Sequence, residues 1–510
     1  MSESRLTYRF GPLERRGVLG AVRAGQAATL ALGVLVAIAV LDALPSASGV
    51  LISTSCVASV SALALIPIGR RTFDEWLPVL GRFIGRRLSG RATVRSGVPT
   101  RGSATRIPPG AEYDGSGREP ADSAQAPAEP PAEPPPCLAG IRIIEATYRD
   151  RQIGVLNERT GKRLTSVLAC RVVAFSLLDP EAQERRLARW GLVLSGAANT
   201  AIRRLQWVER TAPAQGDELA RWLHAQRDPA VPLRGTPMIE SYLELIGTSS
   251  RVTQEHEILI AVQVDARRVR ERGKDSVVRA LVEATERVAH GLEAAEVAVL
   301  GALSSGQLSR VLRTAFDPYA RSEIAVLEAA EPARDGLTET NAWPLGTHEA
   351  WDHLRSDGAL HATYWIGGWP RVEVSPMFMD ALLGRSSTVR TVAVTFEPLS
   401  PERSTREVEA AVTRDHADRE LRHRFGQSET ARQRQAQEAT VRREAELAAG
   451  HAEVRLAGFI TVSGRDRDDL RRASAEVLEH AARARLELHR MYGQQADAFT
   501  FTLPLCRGLR

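Results

Sequence analysis

Apolar positions are bunched near the start of this chain and spread periodically through the rest. Ala24–Leu41 and Ala43–Ile68 are two uncharged apolar runs with Asp42 between them. A bilayer core takes about 20 apolar residues per spanning helix, so the pattern predicts a two-helix transmembrane anchor over residues 24–68. From Leu138 onward, short strand and helix periods take over. Strands are expected at Ser166–Leu177, Ile202–Arg210, Glu257–Val264 and Ala295–Leu300, and helices at Pro180–Ala198 and Asp275–Gly291. Asp179 can cap the first of these helices, and Pro180 suits its first turn. Short helices at Asp217–Ala225 and Met238–Leu245 fall between the halves of this unit. The same order returns as strand Leu360–Trp369, helix Ser375–Leu383, strand Thr391–Glu397 and a long charged helical segment. Strand Glu453–Val462, helix Asp468–Leu488 and a final strand Phe499–Leu503 complete it. Two βαβ-insert-βαβ units predict an α+β body of two ferredoxin-like domains, 138–320 and 321–510, each with a helical insertion. The second insertion reads as a helical hairpin over residues 400–450, capped by Ser400, broken at Phe425-Gly426-Gln427-Ser428 and stopped by Gly450.

Charge orients the anchor. The basic N-terminus, residues 1–23, holds Arg5, Arg9, Arg15, Arg16 and Arg23. After the second run come Arg70, Arg71, Arg82, Arg86, Arg87, Arg91 and Arg95, in an Arg-rich juxtamembrane segment, residues 69–106. The loop between the runs has no Arg or Lys. Cationic flanks stay on the cytoplasmic side, so the chain is expected to be a multi-pass protein of the cytoplasmic membrane with both termini in the cytoplasm. A signal peptide is the competing reading, and the second apolar run with its Arg-rich exit argues against it. Trp76, Leu80, Phe83 and Ile84 give Thr72–Arg95 an apolar side that suits a helix on the membrane surface; a basic stop-transfer tail is the bland alternative. Residues 107–137 are dense in proline, which opposes a packed core and suggests a disordered or semi-rigid tether.

Composition removes several classes. Lys162 and Lys274 are the only lysines among 67 basic residues, a skew that fits GC-rich codons and says little about function. Between Pro401 and Ala449 ten arginines face ten acids; balanced charge favours solvated ion-paired helix faces over a nucleic-acid stripe. Cys56, Cys137, Cys170 and Cys506 form no CxxC, so neither a zinc site nor a disulfide framework is supported. No G-x-x-x-x-G-K-[ST] phosphate loop, dinucleotide fingerprint or G-x-S-x-G elbow occurs. His348-Glu349-Ala350-Trp351-Asp352-His353 spaces its histidines by five rather than four, which on a helix would turn them about 140° apart and prevent them sharing a metal. Tyr364, Trp365 and Trp369, with Gly367-Gly368 between and Trp343 and Trp351 upstream, form the densest aromatic cluster. Base stacking, core packing beside a tight turn and an interface role are its three readings, and core packing is preferred. No catalytic, cofactor-binding or metal residue is nominated.

Thr7-Tyr8-Arg9-Phe10-Gly11 and the two-helix anchor resemble PrgI-like membrane proteins of Gram-positive conjugation systems. The stretch Ala362–Arg371, the Arg-rich hairpin ending Ala448-Ala449-Gly450-His451 and the terminal Phe501–Arg510 resemble an actinobacterial family on the same plan. There a PrgI-like anchor precedes a region similar to the non-catalytic N-terminal half of type IV secretion ATPases. The resemblance implies a non-enzymatic membrane subunit of a conjugation or type IV-like machine. Its implied partners are a transport ATPase on a separate chain, other secretion-channel membrane subunits and a second copy of itself, with nucleic acid met only indirectly. A membrane-tethered nucleic-acid-binding factor and a membrane-bound enzyme are the alternatives.

Overall fold

The computed structural model describes residues 24–66, 71–95, 134–158, 162–171, 175–213, 237–238, 241, 254–271, 273–321, 342–370, 372–384, 386, 388–424, 431–449 and 452–509. The basic N-terminus, most of the Pro-rich segment, Asp217–Ala225 and Phe425–Ser428 lie outside them.

Helices α1 (Ala24–Ala43) and α2 (Ala47–Leu65) form an antiparallel hairpin. Twenty residues at about 1.5 Å each span about 30 Å, the thickness of a bilayer core. Both are long and apolar enough to cross a membrane, and most of their surface faces outward. Ser46 caps α2 by accepting from the Gly49 amide at 3.3 Å. Two buried polar ties hold the pair: Gln26 Nε2 donates to the Ala64 carbonyl and Ser53 Oγ to the Ala37 carbonyl, each at 3.1 Å. Such bonds and small residues, rather than a hydrophobic drive, hold helices together in lipid. α3 (Phe73–Leu88) follows and leads into β1 (Thr93–Arg95).

The body begins with a hairpin, β2 (Ile141–Tyr148) and β3 (Arg151–Glu158). Then come β4 (Arg163–Arg171), α4 (Pro180–Gly196), β5 (Ile202–Pro213), β6 (Gln254–Asp265), α5 (Lys274–Ala294), β7 (Ala298–Ala302) and α6 (Ser305–Phe316). A second series follows: hairpin β8 (Gly346–Glu349) and β9 (Leu354–Ser356), β10 (Ala359–Gly368), α7 (Asp380–Leu383) and β11 (Val389–Pro398). α8 (Pro401–Arg424), α9 (Ala431–Ala448), β12 (Val454–Gly464), α10 (Arg467–Arg483), β13 (Glu487–Arg490) and α11 (Gln495–Phe499) close the chain.

The thirteen strands among the described residues join one sheet, ordered β1-β8-β9-β10-β12-β11-β5-β6-β4-β3-β2, with β13 on β10 and β7 on β4. Every pairing is antiparallel. The two series repeat one another: β7-β4-β6-β5 and β13-β10-β12-β11 have the same order, and they meet where β11 pairs with β5 from Phe396↔Leu205 to Arg390↔Thr211. The body is therefore an antiparallel α+β structure whose halves share one sheet. Side chains alternate across it, as a period of two requires. Leu205, Ile260 and Val262 pack on α4 and α5, and Val392, Ile460 and Val462 on α10, on one face. On the other, Val208, Ala261 and Ala393 meet Leu308 and Phe316 of α6, Phe499 of α11 and the tail residues Leu503 and Leu505.

The structure corrects three local expectations. The strand expected at Ser166–Leu177 begins at Arg163, ends at Arg171, and is followed by a single 3-10 turn at Phe175–Leu177. The helix expected to reach Leu488 stops at Arg483; Arg485 turns left-handed at φ 57°, and the next segment is strand β13. Phe499–Leu503 is no strand. α11 and a 3-10 turn at Thr500–Thr502 occupy it, and the tail beyond crosses the sheet. There Gln206 Nε2 donates to the Phe501 carbonyl at 2.8 Å, Cys506 N to Gln206 Oε1 at 2.7 Å, and Thr395 Oγ1 to the Arg507 carbonyl at 3.0 Å. These strand groups are buried, and the tail supplies the partners that burial demands.

Candidate functional site

The chemistry-bearing motifs resolve into structural roles. His348 lies on β8 and His353 in the turn before β9, so the segment is a hairpin rather than a helix. His348 Nδ1 meets Thr93 Oγ1 at 2.8 Å, and His353 Nδ1 meets Asp352 Oδ1 at 2.7 Å. Among the described residues, no group of three His, Cys, Asp or Glu is placed to hold a metal ion. Ser356 Oγ and His361 Nε2 are 2.7 Å apart, the spacing of a nucleophile and its base. His361 is 0 % exposed, however, and Ser463 and the Phe316 carbonyl fill its remaining bonds. No substrate could reach it. Burial pushes its imidazole down to about 4, so it is neutral near pH 7. Burial also pushes the Cys137 and Cys170 thiols up to about 12, leaving no thiolate nucleophile there.

The aromatic cluster divides. Tyr364 and Trp343 are buried in the core. Gly367 and Gly368 are required by β13: a Cβ on Gly367 would lie 2.0 Å from the His489 ring, and one on Gly368 2.9 Å from Glu487. Trp351 alone stands at a boundary between parts of the chain, and around it the anchor meets the body.

Three features of α3 make that boundary. Trp76 stacks on Trp351 with centroids 5.8 Å apart, and Phe83 meets the same indole edge-on at 5.1 Å. Tyr492 stacks beyond it at 6.4 Å. Aromatic pairs of this kind contribute about 0.5–1.5 kcal/mol each beyond the area they bury. One turn further on, Arg86 reaches Asp497 at 2.7 Å, Glu349 at 3.0 Å and the Gly493 carbonyl at 2.9 Å. Glu349 also accepts the Ala496 amide at 3.1 Å. Burial raises the Glu349 carboxyl against the pull of that amide and of Arg86. Breaking such a partly buried pair costs far more than breaking a surface one, because the partner charge is left behind. β1 then adds to the sheet edge with Thr93↔His348 and Arg95↔Gly346 in register. At its other end α3 touches the hairpin: a Cβ on Gly25 would sit 2.5 Å from Asp74.

The arrangement fastens α3 to β8, to the Trp351 turn and to α11. It also changes the role of the juxtamembrane segment. Trp76 and Phe83, two of the four residues expected to face a membrane, face the body instead. The anchor reaches the second half of the body directly, ahead of the Pro-rich segment, whose remaining described residues, Pro134–Cys137, lead into β2. Sequence reasoning missed this junction because its contacts pair residues more than 250 positions apart; the nearest signal was Trp351, upstream of the aromatic cluster.

Residues 252–366 are similar to EccE, a type VII ESX secretion system translocon component. The matched stretch runs from β6 into β10, across the boundary between the two halves. It supports a secretion-system membrane subunit, and it points to a type VII rather than a PrgI-like, type IV machine. No curated protein matches the chain.

Proposed function

We propose that this chain is a non-enzymatic membrane subunit of a type VII-like secretion translocon. It holds its body against the cytoplasmic face and docks a separate transport ATPase and other membrane subunits there. The similarity to EccE over residues 252–366 carries the reading. The direct junction of the anchor with β8, Trp351 and α11 adds to it, since a subunit that positions partners gains from a stiff connection to the bilayer. The arginines on both outer flanks of the hairpin favour cytoplasmic termini. The order shared by β7-β4-β6-β5 and β13-β10-β12-β11 supports two ferredoxin-like units joined edge to edge.

Affinity purification of the full chain from mild detergent extracts tests the reading. The expected co-purifying set contains a P-loop ATPase and multi-pass subunits, and deletion of the gene stops export. Isolation of the chain without membrane partners, together with unchanged export, would overturn it. The purified chain is expected to hydrolyse no nucleotide; turnover that survives separation from other ATPases would refute the non-enzymatic part.

A further inference from the structure

α3 has a second face that the body does not use. Trp76, Val79, Phe83 and Arg86 lie on the body side. Leu77, Leu80, Ile84 and Leu88, spaced by three, four and four, line another side of the helix. They are 58 %, 36 %, 51 % and 84 % exposed. Beside them, a Cβ on Gly81 or Gly85 would meet nothing within 4 Å. Arg82, Arg87 and Arg91 are exposed at the margins and make no ion pair with the described residues. Four large apolar side chains in one stripe are more than the single exposed ones that any surface carries.

We infer that this stripe is a lipid-binding face, and that α3 lies in the headgroup region with the body bolted to its other side. Continuity selects the occupant. The helix starts seven residues after Ile66, at the end of α2, and its Asp74 packs on Gly25 at the start of α1, so both outer ends of the hairpin converge on its first turn. A helix leaving a bilayer at that level meets headgroups first. The exposed arginines fit an anionic surface, and the leucines reach the acyl boundary as in interfacial helices. The inference rests on the hairpin spanning a membrane, and it adds something the hairpin alone does not give. Two helices fix a point of attachment, whereas a third lying in the interface fixes which way the body faces.

The test uses the full chain in phosphatidylglycerol-containing proteoliposomes, with the photo-crosslinker p-benzoylphenylalanine placed in turn at Ile84, at Leu88 and, as the control, at Arg82. Resistance to carbonate extraction reports the hairpin independently of α3. The expected result is lipid adducts at 84 and 88, several-fold above position 82, in a carbonate-resistant protein. Adducts at 84 and 88 to a second copy of the chain, or yields no higher than at 82, would overturn the lipid face while leaving the anchored reading intact. Loss of carbonate resistance in the unmodified chain would instead overturn the anchor itself. A triple variant, Leu77→Glu, Ile84→Glu and Leu88→Glu, should keep carbonate resistance and the circular dichroism of the body, yet expose the β8–β9 turn to protease. Unchanged cleavage there would also overturn the inference.

Discussion

The two halves of the body share a strand order and differ in what surrounds it. In the first, the opening hairpin has two strands of eight residues, the crossover helix α4 has 17 residues and the closing helix α6 has 12. In the second, the corresponding strands have four and three, α7 has four and α11 has five. The trimming coincides with the anchor. β1 extends the short β8, α3 covers Trp351 in the short turn, and Arg86 ties to Asp497 of the short α11. The first half carries a full-length hairpin and helices of its own, with the C-terminal tail packed on its strands, whereas the second is completed by a segment that precedes both halves in sequence. A repeat can thus be specialised by subtraction, with the missing surface supplied by the element to be held.

The sharpest way to break this difference is at the indole. Trp351→Ala removes the ring that Trp76, Phe83 and Tyr492 share, and large aromatic truncations cost about 3–5 kcal/mol. Because Trp351 is partly exposed, about 3 kcal/mol is expected. It should be confined to the junction, with hydrogen exchange rising in α3, β1 and the β8–β9 turn while β4, β5 and β6 keep their protection. Equal loss of protection in both halves would show that they are one cooperative unit and that the junction is not confined to the second.

Acid should separate the halves almost as strongly. On β10 a buried titratable group is His361, held down to about 4 from an ordinary 6.5 by burial, with Ser356, Ser463 and the Phe316 carbonyl around it and Asp357 near. The strand in the same place in the first half, β4, buries Ser166, bonded to Thr285 at 2.6 Å and unable to titrate in this range. The unfolded chain takes up a proton near pH 6.5 that the folded imidazole refuses. Stability is therefore full above that pH and falls as pH drops toward 4. The ceiling is roughly 3 kcal/mol, at 1.36 kcal/mol per pH unit. Denaturation of the full chain in detergent, followed between pH 7 and 4.5, should show this slope, and His361→Asn should flatten it. An unchanged slope in the variant would assign the acid sensitivity to carboxylates alone.

A smaller effect bears on α3 itself. Gly81→Ala and Gly85→Ala put a methyl into open space and remove helix-interior glycines, each worth up to about 1 kcal/mol. Both should raise the thermal midpoint slightly. A loss would mean that a backbone approaches this face closely.

The sequence carried most of the repeat. α4, β5, β6, α5, β10, β11 and β12 lie close to where periodicity and capping put them, because each is a long element: the helices bury one side, and the central strands are buried on both faces. Two kinds of element escaped. The β2–β3 hairpin turns at Arg149 and Asp150, with φ of 47° and 58°. Asn-Gly or Asp-Gly would have marked such a turn, and Arg-Asp does not. Likewise α10 ends at Arg483 and the chain turns on Arg485 in the left-handed region rather than on glycine, so no stop signal separated it from β13. The tail was misread because Leu503 and Leu505 are apolar for a non-local reason: they join the core of Val208, Leu259 and Ala261, on strands far earlier in the chain. The junction was illegible for the same cause, although both its partners, Trp351 and the Thr72–Arg95 helix, were noticed separately.

The hairpin insertion should matter least to folding, and the structure says where it can be cut. Ser404, Val408, Ala411 and Thr440 are buried at its base. Glu407 there holds Arg403 at 3.0 Å and Arg455 at 2.5 Å, and Arg443 pairs with Glu453. Replacing the whole of 400–450 would therefore remove part of the body. Beyond Val412 the described side chains of α8 are mostly exposed, and the tie between Arg419 and Gln437 at 3.1 Å is a surface bond. Replacing residues 413–437 with a short Gly/Ser loop should cost less than about 1 kcal/mol, since exposed polar pairs contribute only a few tenths each. Circular dichroism and the thermal midpoint should barely move, whereas export should stop if the outer hairpin docks a partner. A folded, export-competent variant would remove the hairpin from the docking surface and leave α3 and the second half as the region to search. A variant that unfolds would show that the outer helices stabilise the β11–β12 pair after all, and that the second half depends on its insertion as well as on its anchor.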